Sequence, residues 1–200
     1  GYIFRTDHSD TEAALYAYEK WGSDFVKKLR GMFAIVIWDE RNDRVVMVRD
    51  RTGIKPLYYT TSNNKLYFAS EIKAILQDSS VTKELNKKGL YDYLSFLTVP
   101  APETLFKNIY KVPAGHMLIV EKGKVQPLKE YWDVFDNWQD LNGQPEEQIR
   151  EELISELKES VSLHMAADVP IGVFLSGGVD SSLNAKLFSQ LSPEKVNCFS

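Results

Sequence analysis

A short continuous apolar run, Ile171 to Leu175, gives way to Ser176-Gly177-Gly178-Val179-Asp180-Ser181-Ser182, after which Leu183, Leu187 and Leu191 return at helical spacing. A second apolar run, Val196 to Phe199, follows. Strand, loop, helix and strand in that order predict a βαβ unit. Parallel strands need a crossover, and their sheet buries both faces and so takes apolar strands.

The loop has a chemistry of its own. Its two glycines open backbone dihedrals closed to other residues and let a ligand approach without a Cβ in the way. The helix start that follows offers unpaired N–H groups and a positive dipole end at the same place. Ser176, Ser181 and Ser182 can add hydroxyl hydrogen bonds. This combination predicts a phosphate cradle. Asp180 makes sense beside a phosphate with Mg²⁺ between the two anions. The bland alternative is a serine-capped helix after a glycine turn. A bare glycine pair would favour that alternative, but a full heptapeptide between an apolar strand and a helix is more specific. The Gly-Lys-Ser/Thr ending of a Walker A loop is absent.

Upstream the hydrophobic period is different. Ser9 and Glu12 have capping-box spacing, and Leu15, Tyr16 and Tyr18 follow, which predicts a helix over 9–21. Met32 to Trp38, the turn cluster Asp39 to Asp43 and Val45 to Val48 read as a hairpin. Leu57 to Thr60, the turn Ser62-Asn63-Asn64 and Leu66 to Ala69 repeat the pattern, and a short helix over 71–77 follows. A helix over 87–96 and a hairpin from Gly115 to Val120, turning at Lys122-Gly123-Lys124, complete an antiparallel sheet with a few helices. The polar stretch Asp136 to Pro145 is rich in turn formers and reads as a linker. Beyond it Ile149, Leu153, Leu157 and Val161 mark one stripe of an amphipathic helix over 146–164.

With 44% hydrophobic and 26% charged residues and a formal charge of −4, the chain has a globular composition and no basic run resembling a nucleic-acid footprint. No apolar run approaches the roughly 20 residues of a membrane span, and Gly1 to Asp7 lack a signal-peptide pattern. A cytoplasmic location is expected, with neither nucleic acid nor membrane as partner. Cys198, in an apolar stretch, reads as a buried thiol. The four tryptophans read as core or interface residues. His8, His116 and His164 are too scattered for a metal site.

The Ser176–Ser182 loop resembles the SGGxDS loop of N-type ATP pyrophosphatases. Leu29 to Asp39, Arg49 to Tyr59 and Phe68 to Glu71 closely resemble the second half of class II glutamine amidotransferase domains, which are N-terminal-nucleophile folds. With Val112-Pro113-Ala114-Gly115-His116 and Tyr131-Trp132 also in place, the order is similar to that of glutamine-hydrolysing asparagine synthetases over essentially the whole chain.

This resemblance implies an α+β part followed by an α/β part. Residues 1–134 would be the C-terminal half of the glutaminase, 135–145 a linker, and 146–200 the start of a parallel-sheet ATP-pyrophosphatase domain. It implies ATP and Mg²⁺ as cofactors, with glutamine and aspartate as small-molecule substrates. Diphosphate would leave as a β-aspartyl adenylate forms, and tunnelled ammonia would then displace AMP. Leu175, Ser176, Gly177, Gly178, Val179, Asp180, Ser181 and Ser182 would hold ATP and its pyrophosphate, with Asp180 also on the Mg²⁺. Asp10 would bind the α-ammonium of glutamine, a charge-assisted contact that the capping box does not itself require. The Arg49–Tyr59 segment reads as structural, supporting the glutaminase pocket.

The family's cysteine nucleophile, at the mature N-terminus, has no counterpart, because the chain begins with Gly1. No catalytic residue is therefore expected, and the chain reads as an internal fragment, inactive alone. A homodimer is left open. So are a relative with another acceptor, such as a β-lactam synthetase or an enzyme of surface-polysaccharide biosynthesis, and a noncatalytic module.

Overall fold

Helix α1 (Asp10–Trp21) starts where the Ser9 side chain accepts the Glu12 amide at 3.2 Å, satisfying a donor that a helix start leaves unpaired. The Glu12 carboxylate reaches beyond this cap and accepts the amides of Arg5 and Thr6 at 2.7 and 3.0 Å. It thereby anchors the preceding segment. The computed structural model describes residues 3–6, 9–136, 138–167, 169–193 and 195–200. His8, and Asn137 within the stretch read as a linker, lie outside these, as do Gly1, Tyr2 and Asp7. The chain divides into two units, Gly1–Asn137 and Trp138–Ser200.

In the first unit the elements after α1 are β1 (Ala34–Asp39), β2 (Arg44–Arg49), β3 (Tyr58–Ser62), β4 (Lys65–Ala69), α2 (Ile72–Ile75), α3 (Lys87–Phe96), β5 (Tyr110–Lys111), β6 (His116–Glu121), β7 (Lys124–Val125) and β8 (Lys129–Glu130). The three expected hairpins form as antiparallel pairs β1–β2, β3–β4 and β6–β7. Their turns hold Asp43, Asn63, Asn64 and Lys122 at positive φ, where Asn and Asp are tolerated best. One sheet runs β1-β2-β6-β7 with β8 also on β6, and a second runs β4-β3-β5. The two-residue strands β5 and β8 have no periodic signature and exist through their distant partners β3 and β6.

Alternation along β2 builds the layers. Val46 and Val48 pack with Tyr18, Phe25 and Met117 on one face, while Met47 packs with Leu57, Val112 and Leu118 on the other. The first sheet is thus covered by the α1 segment on one side and by the second sheet on the other. Ile75 of α2 closes over the far side of the second sheet with Val81 and Ile109. Full burial of a side chain such as Met47 contributes about 2 kcal/mol relative to exposure. None of the four tryptophans is core: Trp21, Trp38 and Trp138 are exposed and Trp132 is half-buried. The buried positions of the first sheet are filled by Val, Ile, Leu and Met instead, and the buried strand residue of the second sheet is Thr60.

The second unit contains α4 (Glu146–His164), β9 (Gly172–Phe174), α5 (Val179–Leu191) and β10 (Asn197–Phe199). β10 pairs with β9 in parallel, Cys198 opposite Val173, and the Leu175 amide donates to the Phe199 carbonyl at 2.7 Å. Helix α4 contacts α5, with Ile149, Leu157 and Val161 half-buried and Leu153 58% exposed. One expectation fails here: Cys198 is exposed rather than buried. Phe174 and Phe199 beside it are 84% and 58% exposed. A two-stranded sheet has no layer over these side chains, so apolar strand composition does not become burial.

Candidate functional site

Two features bear on chemistry, one in each unit. In the second, the chain leaves β9 through half-buried Leu175 and turns at Gly177, whose φ of +81° is strained for any residue with a side chain. A Cβ built on Gly177 meets no atom within 4 Å. Glycine is therefore required here by conformation, and the space above it is open. Gly178 then caps α5 without a side-chain bond.

The three serines converge on this turn. Ser176 and Ser181 hydroxyls lie 3.1 Å apart, and Ser181 and Ser182 both donate to the Gly178 carbonyl, at 3.1 and 2.8 Å. The first intrahelical amide bond runs from Ser182 to Gly178, so the amides of the preceding first turn have no helical acceptor. Converging hydroxyls, helix-start amides and open space form a donor set suited to an oligophosphate. Val179 and Asp180 stand exposed in the first turn of α5. Among the described residues no group of three His, Cys, Asp or Glu side chains could enclose a metal ion. A Mg²⁺ held by Asp180 would draw its other ligands from phosphate oxygens and water, the usual habit of that ion. His116 and His164 each bond a nearby backbone carbonyl, at 2.7 and 2.8 Å.

In the first unit Asp10 stands exposed in the first turn of α1, 3.4 Å from the Thr11 hydroxyl. It lines an open cleft of about 820 Å³ whose floor is the apolar strand β1. Arg30, Phe33, Lys55, Pro56 and Ser70 also border this cleft. The cleft therefore carries one acidic and two basic side chains over an apolar floor, a pattern suited to a zwitterion with a short polar side chain. No spacing in the sequence announces that Lys55 or Ser70 meets Asp10, because they arrive from different loops.

Residues 1–132 match the family model of the glutamine amidotransferase domain, and residues 152–200 match that of asparagine synthase. Asparagine synthetase [glutamine-hydrolyzing] 1 of Bacillus subtilis is 38% identical over 96% of this chain and 30% of its own length. A putative asparagine synthetase [glutamine-hydrolyzing] 2 of Methanocaldococcus jannaschii is 35% identical over 87% of this chain and 34% of its own. Amidase chry2 of Gibberella zeae is 38% identical over 92% of this chain and 27% of its own. The chain thus spans about 30% of the length of the first of these curated relatives.

Proposed function

Because the chain belongs to the glutamine amidotransferase domain family, we propose that the whole protein is a glutamine-hydrolysing asparagine synthetase working in the cytoplasm. Residues 1–134 contribute to the glutaminase and 146–200 to the ATP-pyrophosphatase domain, with 135–145 joining them. The overall conversion takes ATP, L-aspartate, L-glutamine and water to AMP, diphosphate, L-asparagine and L-glutamate. The observation that carries this reading is the Ser176–Ser182 cradle following an amidotransferase domain in one chain.

In the cleft, Asp10 holds the α-ammonium of glutamine, and the apolar floor of β1 lies beneath the aliphatic part of the substrate. In the cradle, the hydroxyls of Ser176, Ser181 and Ser182 exchange their internal partners for phosphate oxygens. The amides at the start of α5 add fixed dipoles directed at the same charge. Asp180 would hold a Mg²⁺ ion, which would offset that charge. Bound ATP supplies an activated carboxyl on the acceptor and diphosphate as leaving group, and the cradle's part is to hold that diphosphate.

A second reading, a related amidotransferase acting on another acceptor, is favoured by the 38% identity to amidase chry2. Diphosphate release from ATP and Mg²⁺ by the full-length protein, with and without aspartate, separates the two. Aspartate-dependent release with glutamate formed from glutamine supports the synthetase. Aspartate-independent release argues for another acceptor, and no release under either condition rejects both.

A further inference from the structure

Asp50, just after β2, is fully buried, and the polar residues Thr60 and Thr104 are buried too. Its carboxylate accepts the amides of Thr52, Ile54 and Lys55 at 3.2, 2.9 and 2.9 Å. Its own amide donates to the Phe33 carbonyl at 2.9 Å, and its carbonyl accepts the Gly53 and Gly115 amides. Burial pushes this carboxyl upward, but the Lys55, Ile54 and Thr52 amides together outweigh it and hold it below its ordinary range, as an anion.

Arg49 grips the same loop from its other side. Its guanidinium donates to the carbonyls of Lys55 at 2.8 Å, Val112 at 2.9 Å and Gly53 at 2.5 Å. Lys55 therefore has its amide fixed by Asp50 and its carbonyl fixed by Arg49. Gly53, at φ +67°, makes the reversal possible, since a Cβ there would lie 3.1 Å from the Arg49 guanidinium carbon. Lys55 and Pro56 are the part of this loop that borders the cleft containing Asp10, and Phe33, just before β1, borders it too.

We propose that Asp50 is a positioning residue for the amide-donor cleft, clamping the Lys55–Pro56 wall at a fixed distance from Phe33. The inference rests on the reading of that cleft as the glutamine site. Asp50 touches no substrate; its buried charge acts by holding three amides that a mobile loop would leave to water. A short loop with an exposed Ile54 and Lys55 has little apolar burial to keep it in place, so these bonds decide its position.

The test uses the full-length protein with Asp50→Asn and, from the other side of the clamp, Arg49→Lys. Hydrogen exchange is measured at 52–55, with steady-state glutamine hydrolysis and ammonia-dependent diphosphate release alongside. Both variants should speed exchange at Ile54 and Lys55 about tenfold while β1, β2 and β6 stay protected. KM for glutamine should rise about tenfold with kcat within about twofold, because a displaced wall weakens ground-state and transition-state binding alike. Ammonia-dependent diphosphate release should stay at the wild-type rate. Unchanged exchange at Ile54 and Lys55, or a fall in kcat with KM unaltered, overturns the positioning role. A parallel loss of both half-reactions marks Asp50 as a stability residue only, and so overturns it too. A wild type that does not hydrolyse glutamine rejects the underlying reading of the cleft, while local exchange in the variants still reports whether the clamp exists.

Discussion

The Tyr18 hydroxyl donates to Asp39 Oδ2 at 2.7 Å and accepts from Arg44 Nε at 2.8 Å, tying the buried residue of α1 to the end of β1 and the start of β2. Hydrogen bonds from Tyr18 and then Asn42 hold the Asp39 carboxyl down at about 2. Burial, reinforced by the Asp39 bond, pushes Tyr18 up to about 12. The folded-state value of Asp39 lies below its unfolded value of about 4, so its stabilisation is present above that pH and is lost as pH falls from about 4 to about 2. Thermal melts should show a drop across that window in the wild type that is smaller in Asp39→Asn. At neutral pH the variant should be about 1–2 kcal/mol less stable.

Gly53→Ala should destabilise the first unit by about 1–3 kcal/mol, because alanine is strained at positive φ and its methyl would press on Arg49. Urea unfolding checks this. An unchanged midpoint would mean that the loop adopts another conformation.

Asp10→Asn in the full-length protein should raise KM for glutamine about 10- to 100-fold, the usual cost of losing the charge in a charge-assisted contact. Activity with ammonia in place of glutamine should not change. Equal KM values in wild type and variant would remove Asp10 from the site.

Asp180→Asn should lower diphosphate release at least about tenfold and raise the Mg²⁺ concentration needed for half-maximal rate. Ser181→Ala should lower the rate more modestly, by about five- to tenfold, since Ser176, Ser182 and the amides of α5 remain. Glutamine hydrolysis is the internal control. A Ser181→Ala variant with the wild-type rate would count against the hydroxyl cradle.

The 200-residue chain expressed alone should bind a hydrophobic dye or aggregate, because Phe174 and Phe199, whose ring centroids lie 6.4 Å apart, and Val179 are exposed and exposed apolar surface associates. Monodisperse behaviour in light scattering, with a single cooperative melt and no dye signal, would contradict this.

Local regularities made most elements legible. The helices over 87–96 and 146–164 end where their apolar period and flanking residues place them, and the hairpins turn at their Asp, Asn and Gly clusters. The expected helix over 71–77 contracts to four residues in α2, since its apolar positions fit against the second sheet for only one turn. The glycine–serine loop was equally legible as strand, turn and helix start, because glycine conformations and helix-start donors depend on neighbours a few residues away.

By itself the sequence determined the order of elements, the antiparallel pairing of adjacent strands, and the loop from Ser176 to Ser182 on which the functional reading turns. It also carried the family pattern that residues 1–132 share with other amidotransferase domains. Tertiary structure alone decided which apolar residues became core. Met47 and Val48, neighbours in one strand, enter different cores, while Cys198 and Phe199 remain exposed in a strand just as apolar. It also decided that the acid Asp50 would be fully buried among backbone amides, and that Lys55 would border the same cleft as Asp10. Backbone hydrogen bonding in helices and hairpins is a short-range property written in consecutive residues. Burial is a property of the partner surface, which comes from segments far away in the chain.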